Sequence, residues 1–281
     1  MKSIRSVTAF TNHVTNDEPQ FYKSSYKEFN VAGDLICENR YNEEGSVIAR
    51  TANIYDADGK LVETQYYDSL QETTETHSYT YNERGELLKE TVDFGQGFLT
   101  VYAYHRDSSK RQLTISEQDE DGVVEETKTR VFDTNGNLLE ETVYDDNNKA
   151  VSRIKNSFDQ NQRLIRKEEN DLRYKTIQYH EYYYHESGRL TGVKTLNHKD
   201  KVQNWVKVEY DENNRPVKQI TMNGHTITIE YPDELHRIEK HSDAGGMVYS
   251  RTEVELNNEG NVVSEHSPDE IVRFEYEYFG D

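Results

Sequence analysis

The chain has 281 residues, and its 33 Lys and Arg against 53 Asp and Glu give a formal net charge of −20. Charged residues make up 31% and apolar residues 33%, as in many disordered chains, but 21 Tyr and 9 Phe are too many for a chain without a core. The excess of carboxylates favours a basic partner and argues against nucleic acid and anionic membrane surfaces. An acidic surface that is merely solvated is the plainer alternative.

The first residues, MKSIRSVTAFTNHVTND, hold two basic residues but no apolar core of the kind a signal peptide needs. No later stretch is apolar enough to span a membrane. The single cysteine, Cys37, allows no internal disulfide and suits a reducing compartment. We therefore expect a cytoplasmic protein, or a surface or secreted one if a leader has been removed, and we treat residues 1–20 as an N-terminal lead-in.

From residue 29 a short phrase recurs: an aromatic residue, Asn or Asp, two polar residues, Gly, any residue, and Leu or Val. The clearest copies begin at Phe29, Tyr41, Tyr55, Tyr81, Phe132 and Tyr184. The Asx side chain is expected to accept a bond from its own backbone two residues on, and the Gly to supply the positive φ of a type I turn followed by a bulge. Asn148, Asp200 and Asn214 stand in for the Gly, and these residue types tolerate that conformation.

The spacing of the phrase defines the architecture. Loop starts fall at 29, 41, 55, 67 and 81, and again at 132, 144, 158, 170, 184, 196, 210 and 222, so the steps alternate between 12 and 14 residues. The repeating unit is therefore 26 residues with two loops, a double hairpin. We predict an all-β fold, a long antiparallel meander of repeated β-hairpins with almost no helix. About twenty strands would form one curved or coiled sheet.

Two segments break this rhythm, residues 93–118 and residues 222–242, where the loops are poorly formed or too closely spaced. We expect bends or bulges at both. No Pro-, Gly- or Ser-rich linker divides the chain, so residues 1–281 are predicted to be a single repeat array.

The segments 79–87 (YTYNERGEL) and 182–190 (YYYHESGRL) resemble the YD repeats of RHS-type proteins. The resemblance extends from about residue 20 to the end of the chain. In that family, strips of β-hairpins spiral into a hollow shell around a toxin or form cell-surface proteins. This chain is much shorter and lacks both the Asp-Pro-x-Gly junction with its self-cleaving aspartates and a distinct C-terminal toxin domain. The resemblance therefore implies the hairpin architecture and no catalytic residue.

Candidate chemical sites are weak. Histidines five residues apart on a strand face opposite ways, and so do adjacent glutamates, which therefore cannot flank one glycosidic bond. The histidine pairs are 180/185 and 236/241, and the glutamate pairs are 125/126, 140/141 and 168/169. The loop Asx residues are explained by turn formation, and no phosphate loop, Cys-x-x-Cys or nucleophile elbow is present. We expect no metal, no cofactor and no enzymatic activity, although carboxylates on neighbouring strands could still converge.

The tyrosine rows are typical of cross-strand packing, with a few exposed members left for binding, and Trp205 is interpreted as a core residue. The predicted partner-binding residues are Tyr66, Glu75, Glu125, Glu141, Glu168 and Glu209.

The leading functional hypothesis is a non-enzymatic β-repeat protein that binds a basic protein partner. Because the resemblance implies toxin systems, its sharpest form is an immunity protein or chaperone for a secreted bacterial toxin. One alternative is a structural, cell-surface or wall-associated YD-repeat protein that could self-associate. A second alternative is a carbohydrate-binding module that uses exposed tyrosines.

Overall fold

The computed structural model describes residues 3–14 and 20–280, which form twenty-two strands and no helix. The ladders described between consecutive strands within residues 4–81, 87–221 and 226–278 are antiparallel, so the predicted all-β antiparallel meander of hairpins is confirmed. Part of the predicted lead-in, residues 1–2 and 15–19, lies outside the described residues, as does residue 281.

The chain divides into two compact units, residues 1–78 with 226–281 and residues 79–225, here called the terminal and central units. The first six strands are β1 (Ile4–His13), β2 (Tyr22–Phe29), β3 (Leu35–Tyr41), β4 (Val47–Tyr55), β5 (Leu61–Tyr67) and β6 (Thr73–Tyr81). The next eleven are β7 (Leu87–Asp93), β8 (Leu99–Asp107), β9 (Gln112–Gln118), β10 (Val124–Phe132), β11 (Leu138–Tyr144), β12 (Ala150–Phe158), β13 (Leu164–Asp171), β14 (Thr176–Tyr184), β15 (Leu190–Asn197), β16 (Val202–Tyr210) and β17 (Pro216–Thr221). The last five are β18 (Thr226–Glu230), β19 (His236–Ser242), β20 (Val248–Leu256), β21 (Val262–His266) and β22 (Glu270–Tyr278).

The first and last strands of the meander are hydrogen-bonded neighbours. Strand β1 pairs with β2 along one edge and with β22 along the other, so that Val7 opposes both Lys27 and Tyr276. The expectation of an open curved or coiled sheet is therefore wrong, because the meander closes through β1. A free edge strand leaves a row of main-chain groups unpaired, and pairing β1 with β22 satisfies those groups. Residues 4–13 carry no loop phrase, so the repeat pattern does not reveal that they form a closing strand.

The loops have the predicted chemistry. In the loop after β4, the amides of Asp58 and Lys60 both donate to Oδ1 of Asp56 at 2.9 Å, and Gly59 has a φ of 81°. The ladder then shifts register where Tyr55 pairs with Leu61, as a bulge requires. The residues predicted to replace Gly also have positive φ, at 57° for Asn148, 54° for Asp200 and 66° for Asn214.

Each unit has a face on which aromatic residues of its loop phrases lie. The register places Tyr55 and Tyr276 on this face in the terminal unit, and Tyr184 and Tyr210 in the central unit. We call it the tyrosine face, and the opposite side the reverse face. The buried apolar residues of the tyrosine faces include Ala9, Val92, Leu113 and Val254.

Candidate functional site

Two of the six predicted partner-binding residues lie side by side on the tyrosine face of the terminal unit. Tyr66 on β5 is directly opposite Glu75 on β6 and is 38% exposed. The Tyr66 ring meets the His77 ring edge-on at 5.5 Å, and the His77 ring nitrogen is hydrogen-bonded to the Glu75 carboxylate. The three side chains form one contiguous group on adjacent strands.

The other four predicted residues lie in the central unit and do not form one surface. Glu125 is exposed where the β9–β10 ladder shifts register, and Glu209 is exposed on the reverse face. Glu141 is ion-paired on the tyrosine face, where the Arg130 Nε lies 2.6 Å from its Oε2. Glu168 lies on the reverse face. The structure therefore brings together only Tyr66 and Glu75 of the six.

The adjacent glutamates of β11 face opposite sides, as the strand period predicts. Glu141 pairs with Arg130 on the tyrosine face, while the Glu140 carboxylate lies 3.4 Å from the Arg153 Nε on the reverse face. Each carboxylate has its own cation, so the two cannot act on one substrate bond.

A row of carboxylates flanks β1 on the reverse face of the terminal unit. Strand β22 alternates aromatic and acidic residues, so Glu275 and Glu277 are exposed on the side opposite Tyr276. Across the sheet, Ser6 of β1 is opposite both Glu277 and Glu28, and Thr8 lies opposite Glu275. We call Glu28, Glu275 and Glu277 the β1 carboxylate row.

No ion pair balances the charge of this row among the described residues, although Arg5 lines a cavity together with Glu28 and its charge lowers the pKa of Tyr26. Ser6 is 2% exposed and its hydroxyl donates to Oε2 of Glu277 at 3.0 Å. Among the described residues, no Lys, Arg or His forms an ion pair with the three glutamates. The pKa of the neighbouring Tyr26 is raised, first by burial and then by the charge of Glu28, with a smaller contribution from Glu277.

The row lies in the more acidic unit. The terminal unit has 11 Lys and Arg against 27 Asp and Glu, a net charge of −16. The central unit has 22 against 26, a net charge of −4. Nearly all the excess negative charge of the chain therefore belongs to the unit that contains the β1 carboxylate row.

A second acidic cluster forms a cleft on the tyrosine face of the central unit. Glu90, Tyr102, Glu117 and Glu126 lie opposite one another in a row across β7, β8, β9 and β10. With Tyr104, they line a cavity of about 260 Å³. The Tyr104 hydroxyl donates to Oε2 of Glu90 at 3.2 Å.

Burial and crowding of like charges shift the pKa values in this cleft. Burial, followed by the Glu90 charge, raises the pKa of Tyr104 to about 12. Burial, and then the charges of Glu126 and Glu125, raises the pKa of Glu117, with Lys128 acting in the opposite direction. Among the described residues, no group of three or more His, Cys, Asp and Glu side chains could hold a metal ion. Lys128 and Arg130 also line the cleft, so cations partly balance its three carboxylates.

Neither acidic cluster was identified from the sequence. The alternating patterns of Tyr102-Ala103-Tyr104 and of residues 274–278 place the aromatic residues of each strand on one face, in agreement with the register. Tyr102 pairs with Glu90 and Glu117 across two loops of the irregular segment 93–118. The regular loop spacing is interrupted there, so the spacing does not predict which residues of these strands are opposite one another. The β1 carboxylate row depends on the closing strand. Nothing in a meander pattern predicts that its two ends pair.

No family model and no curated protein matches the chain. The resemblance of the loop phrase to YD repeats therefore stays a prediction. Among the part of the chain that is described, no helix is both long and apolar enough to cross a bilayer.

Three solved structures resemble the chain weakly. The crystal structure of TcdB2-TccC3-Cdc42 has a TM-score of 0.33 and 11% identity, with 90% of this chain and 19% of that chain covered. The crystal structure of TcdB2-TccC3 without its hypervariable C-terminal region has a TM-score of 0.31 and 9% identity, with 92% of this chain and 19% of that chain covered. A porin-like protein from Bacteroides uniformis ATCC 8492 has a TM-score of 0.32 and 14% identity, with 99% of both chains covered. The chain thus spans about a fifth of the TcdB2-TccC3 chains, and similarity at these scores carries no argument about function.

Proposed function

We propose that this chain is a non-enzymatic binding protein that recognises a basic protein partner through the β1 carboxylate row of its terminal unit. The observation that carries the proposal is the arrangement of Glu28, Glu275 and Glu277 around β1, with no cationic side chain paired to them among the described residues.

The energetics favour a cationic ligand at this row. Glu275 and Glu277 lie two residues apart on β22, about 7 Å, and Glu28 lies across β1 from Glu277, two strand spacings or about 10 Å away. At these distances uncompensated like charges repel. A Lys or Arg side chain from a partner would relieve this repulsion and form charge-assisted hydrogen bonds, while Ser6 already orients Glu277. The net charge of −16 on the unit would also speed the encounter with a basic protein.

In the finer form of the proposal, the partner is a secreted bacterial toxin and this chain is its immunity protein or chaperone. What supports this form is the resemblance of the loop phrase to YD repeats, together with the acidic charge. A structural role by self-association is the competing hypothesis, and it is tested separately on the purified protein.

The test is affinity capture from a lysate of the native host with three forms of the protein. These are the wild type, the variant Glu28→Gln/Glu275→Gln/Glu277→Gln, and a control variant, Glu125→Gln/Glu168→Gln/Glu209→Gln, which changes the charge by the same amount on the central unit. We expect the wild type and the control to retain a basic protein that moderate salt elutes, and the first variant to lose it.

Loss with the control variant and not with the first would contradict the assignment to the β1 carboxylate row and would favour the surface predicted from the sequence. Capture of no basic protein by any form would contradict the proposal itself. Light scattering of the purified wild type then tests self-association, because a structural strip would form assemblies larger than one chain.

A further inference from the structure

A cleft of about 560 Å³ lies on the reverse face of the central unit, across β14, β15 and β16. Its lining includes Tyr183, Gly192, Lys194, Trp205 and Lys207, and we call it the aromatic–lysine cleft. Trp205 was predicted to be a core residue, but the structure places it half-exposed in this cleft.

The cleft exists because one strand position lacks a side chain. Gly192 is paired with Tyr183 on one side and with Lys207 on the other. The side chains of Tyr183 and Lys207 therefore border a gap two strand spacings wide, about 10 Å, and the main chain of Gly192 forms its floor. A Cβ atom at Gly192 would lie only 2.9 Å from the carbonyl oxygen of Val206. Close approach of the backbones therefore requires glycine at this position, and the gap above it is part of the fold.

Two ammonium groups border the gap without carboxylate partners. The Lys194 Nζ lies 4.7 Å from the centre of the Tyr183 ring, and the Lys207 Nζ lies 5.1 Å from that of Trp205. Neither lysine forms an ion pair within the described part of the chain.

The nearest acidic group in the row is already engaged. Glu181 accepts from the Arg166 guanidinium at 2.9 Å and from the Tyr183 hydroxyl at 2.7 Å. In a chain with a net charge of −20, two such lysines beside exposed aromatic rings form a local site for an anion.

We propose that the aromatic–lysine cleft binds a carboxylated sugar ring, such as a terminal uronic acid of a glycan. Aromatic side chains stack against the apolar face of a planar or ring-shaped ligand, and Lys194 and Lys207 would hold its carboxylate. The gap fits a single ring, and the acidic charge of the whole chain disfavours ligands that carry a negative charge at every unit, such as nucleic acid. The proposal is independent of the basic-partner proposal, which concerns the opposite charge on the other unit.

The single tryptophan provides a direct readout. In a titration with methyl β-D-glucuronide, the indole N–H signal of Trp205 is followed by NMR. We expect a saturable shift. Methyl β-D-glucopyranoside, which carries a hydroxymethyl group in place of the carboxylate, should bind about tenfold more weakly. Lys207→Met should weaken glucuronide binding by a similar factor. Lys155→Met, which removes the same charge elsewhere on the reverse face, should leave it unchanged.

Absence of a saturable Trp205 shift with the glucuronide would overturn the proposal. Equal binding of the two glycosides, or an equal effect of Lys155→Met and Lys207→Met, would overturn the role assigned to the two lysines. Tighter binding of uridine 5′-monophosphate than of the glucuronide would assign the cleft to nucleotides instead.

Discussion

The hydroxyl of Tyr55 donates to the carbonyl oxygen of Leu35, 20 residues earlier, at 2.9 Å. The same relationship joins Tyr184 to Leu164 at 2.8 Å and Tyr210 to Leu190 at 2.9 Å. In each case the aromatic residue that begins one loop phrase is tied to the leucine that ends an earlier phrase. The aromatic position of the repeat therefore links successive double hairpins.

Loss of one such link should be measurable. Tyr184→Phe keeps the ring but leaves the Leu164 carbonyl without this donor, so we expect a loss of about 1 kcal/mol of unfolding free energy. Urea denaturation measures it. Tyr174→Phe is the control, because Tyr174 is 79% exposed in a loop. Equal midpoints for the two variants would show that the hydroxyl contributes nothing.

Where the phrase begins with Phe158, the asparagine two residues earlier donates to the corresponding carbonyl, as Asn53 does beside Tyr55. The Asn156 Nδ2 donates to the Leu138 carbonyl at 2.9 Å, while its Oδ1 is buried without a partner among the described residues. Asn156→Ala should therefore cost about 1 kcal/mol.

Adding Phe158→Tyr should recover part of that loss, because the hydroxyl of Tyr55, at the corresponding position of another repeat, donates to the carbonyl oxygen of Leu35. A double-mutant cycle measures the coupling. If Asn156→Ala/Phe158→Tyr is no more stable than Asn156→Ala alone, the tyrosine hydroxyl does not replace the asparagine at this carbonyl.

Backbone strain at one loop offers a stabilising change. Gln162 has a φ of 62°, a conformation that favours glycine. We expect Gln162→Gly to stabilise the protein by about 0.5 kcal/mol, since relief of strain is partly offset by the greater entropy of the unfolded chain. Gln160→Gly in the same loop has no positive φ to relieve and should be neutral or destabilising. The thermal unfolding midpoints of the two glycine variants measure this difference. A midpoint for Gln162→Gly no higher than that for Gln160→Gly would show that residue 162 is not strained.

The regular part of the fold followed from the sequence because hairpin chemistry is local. Asp56 and Gly59 determine their loop within five residues, and the 26-residue spacing carries that register from copy to copy. Closure did not follow, because the pairing of Val7 with Tyr276 joins the two ends of the chain. No local pattern contains that information.

The candidate sites were less predictable for the same reason. The excess of acid and the exposed tyrosines were visible, but the grouping of Glu28 with Glu277 depends on β1 lying between them. The sequence analysis places Trp205 in the core, whereas the structure exposes part of its side chain. The exposure depends on Gly192 of the neighbouring strand β15, which leaves a gap beside Trp205, and the sequence around Trp205 does not show that the two residues are close.

The raised pKa of Glu117 predicts a pH effect of defined sign. Its carboxylate is less favourable in the folded than in the unfolded protein. The folded state therefore binds more protons between the two pKa values, and stability falls as pH rises through that range. Glu117→Gln should raise the unfolding midpoint at neutral pH and have little effect near about pH 3, below the unfolded value. Glu120→Gln, in the following loop, is the control. A Glu117→Gln effect that did not change with pH would contradict the electrostatic origin.

The most direct test of the proposed function is the dissociation constant of an octa-arginine peptide, measured by fluorescence anisotropy over a series of salt concentrations. We expect the variant Glu28→Gln/Glu275→Gln/Glu277→Gln to weaken binding by at least about tenfold at low salt and to flatten the salt dependence. The matched variant Glu125→Gln/Glu168→Gln/Glu209→Gln should resemble the wild type. Identical constants and salt slopes for the two triple variants would contradict the assignment of the basic partner to the β1 carboxylate row.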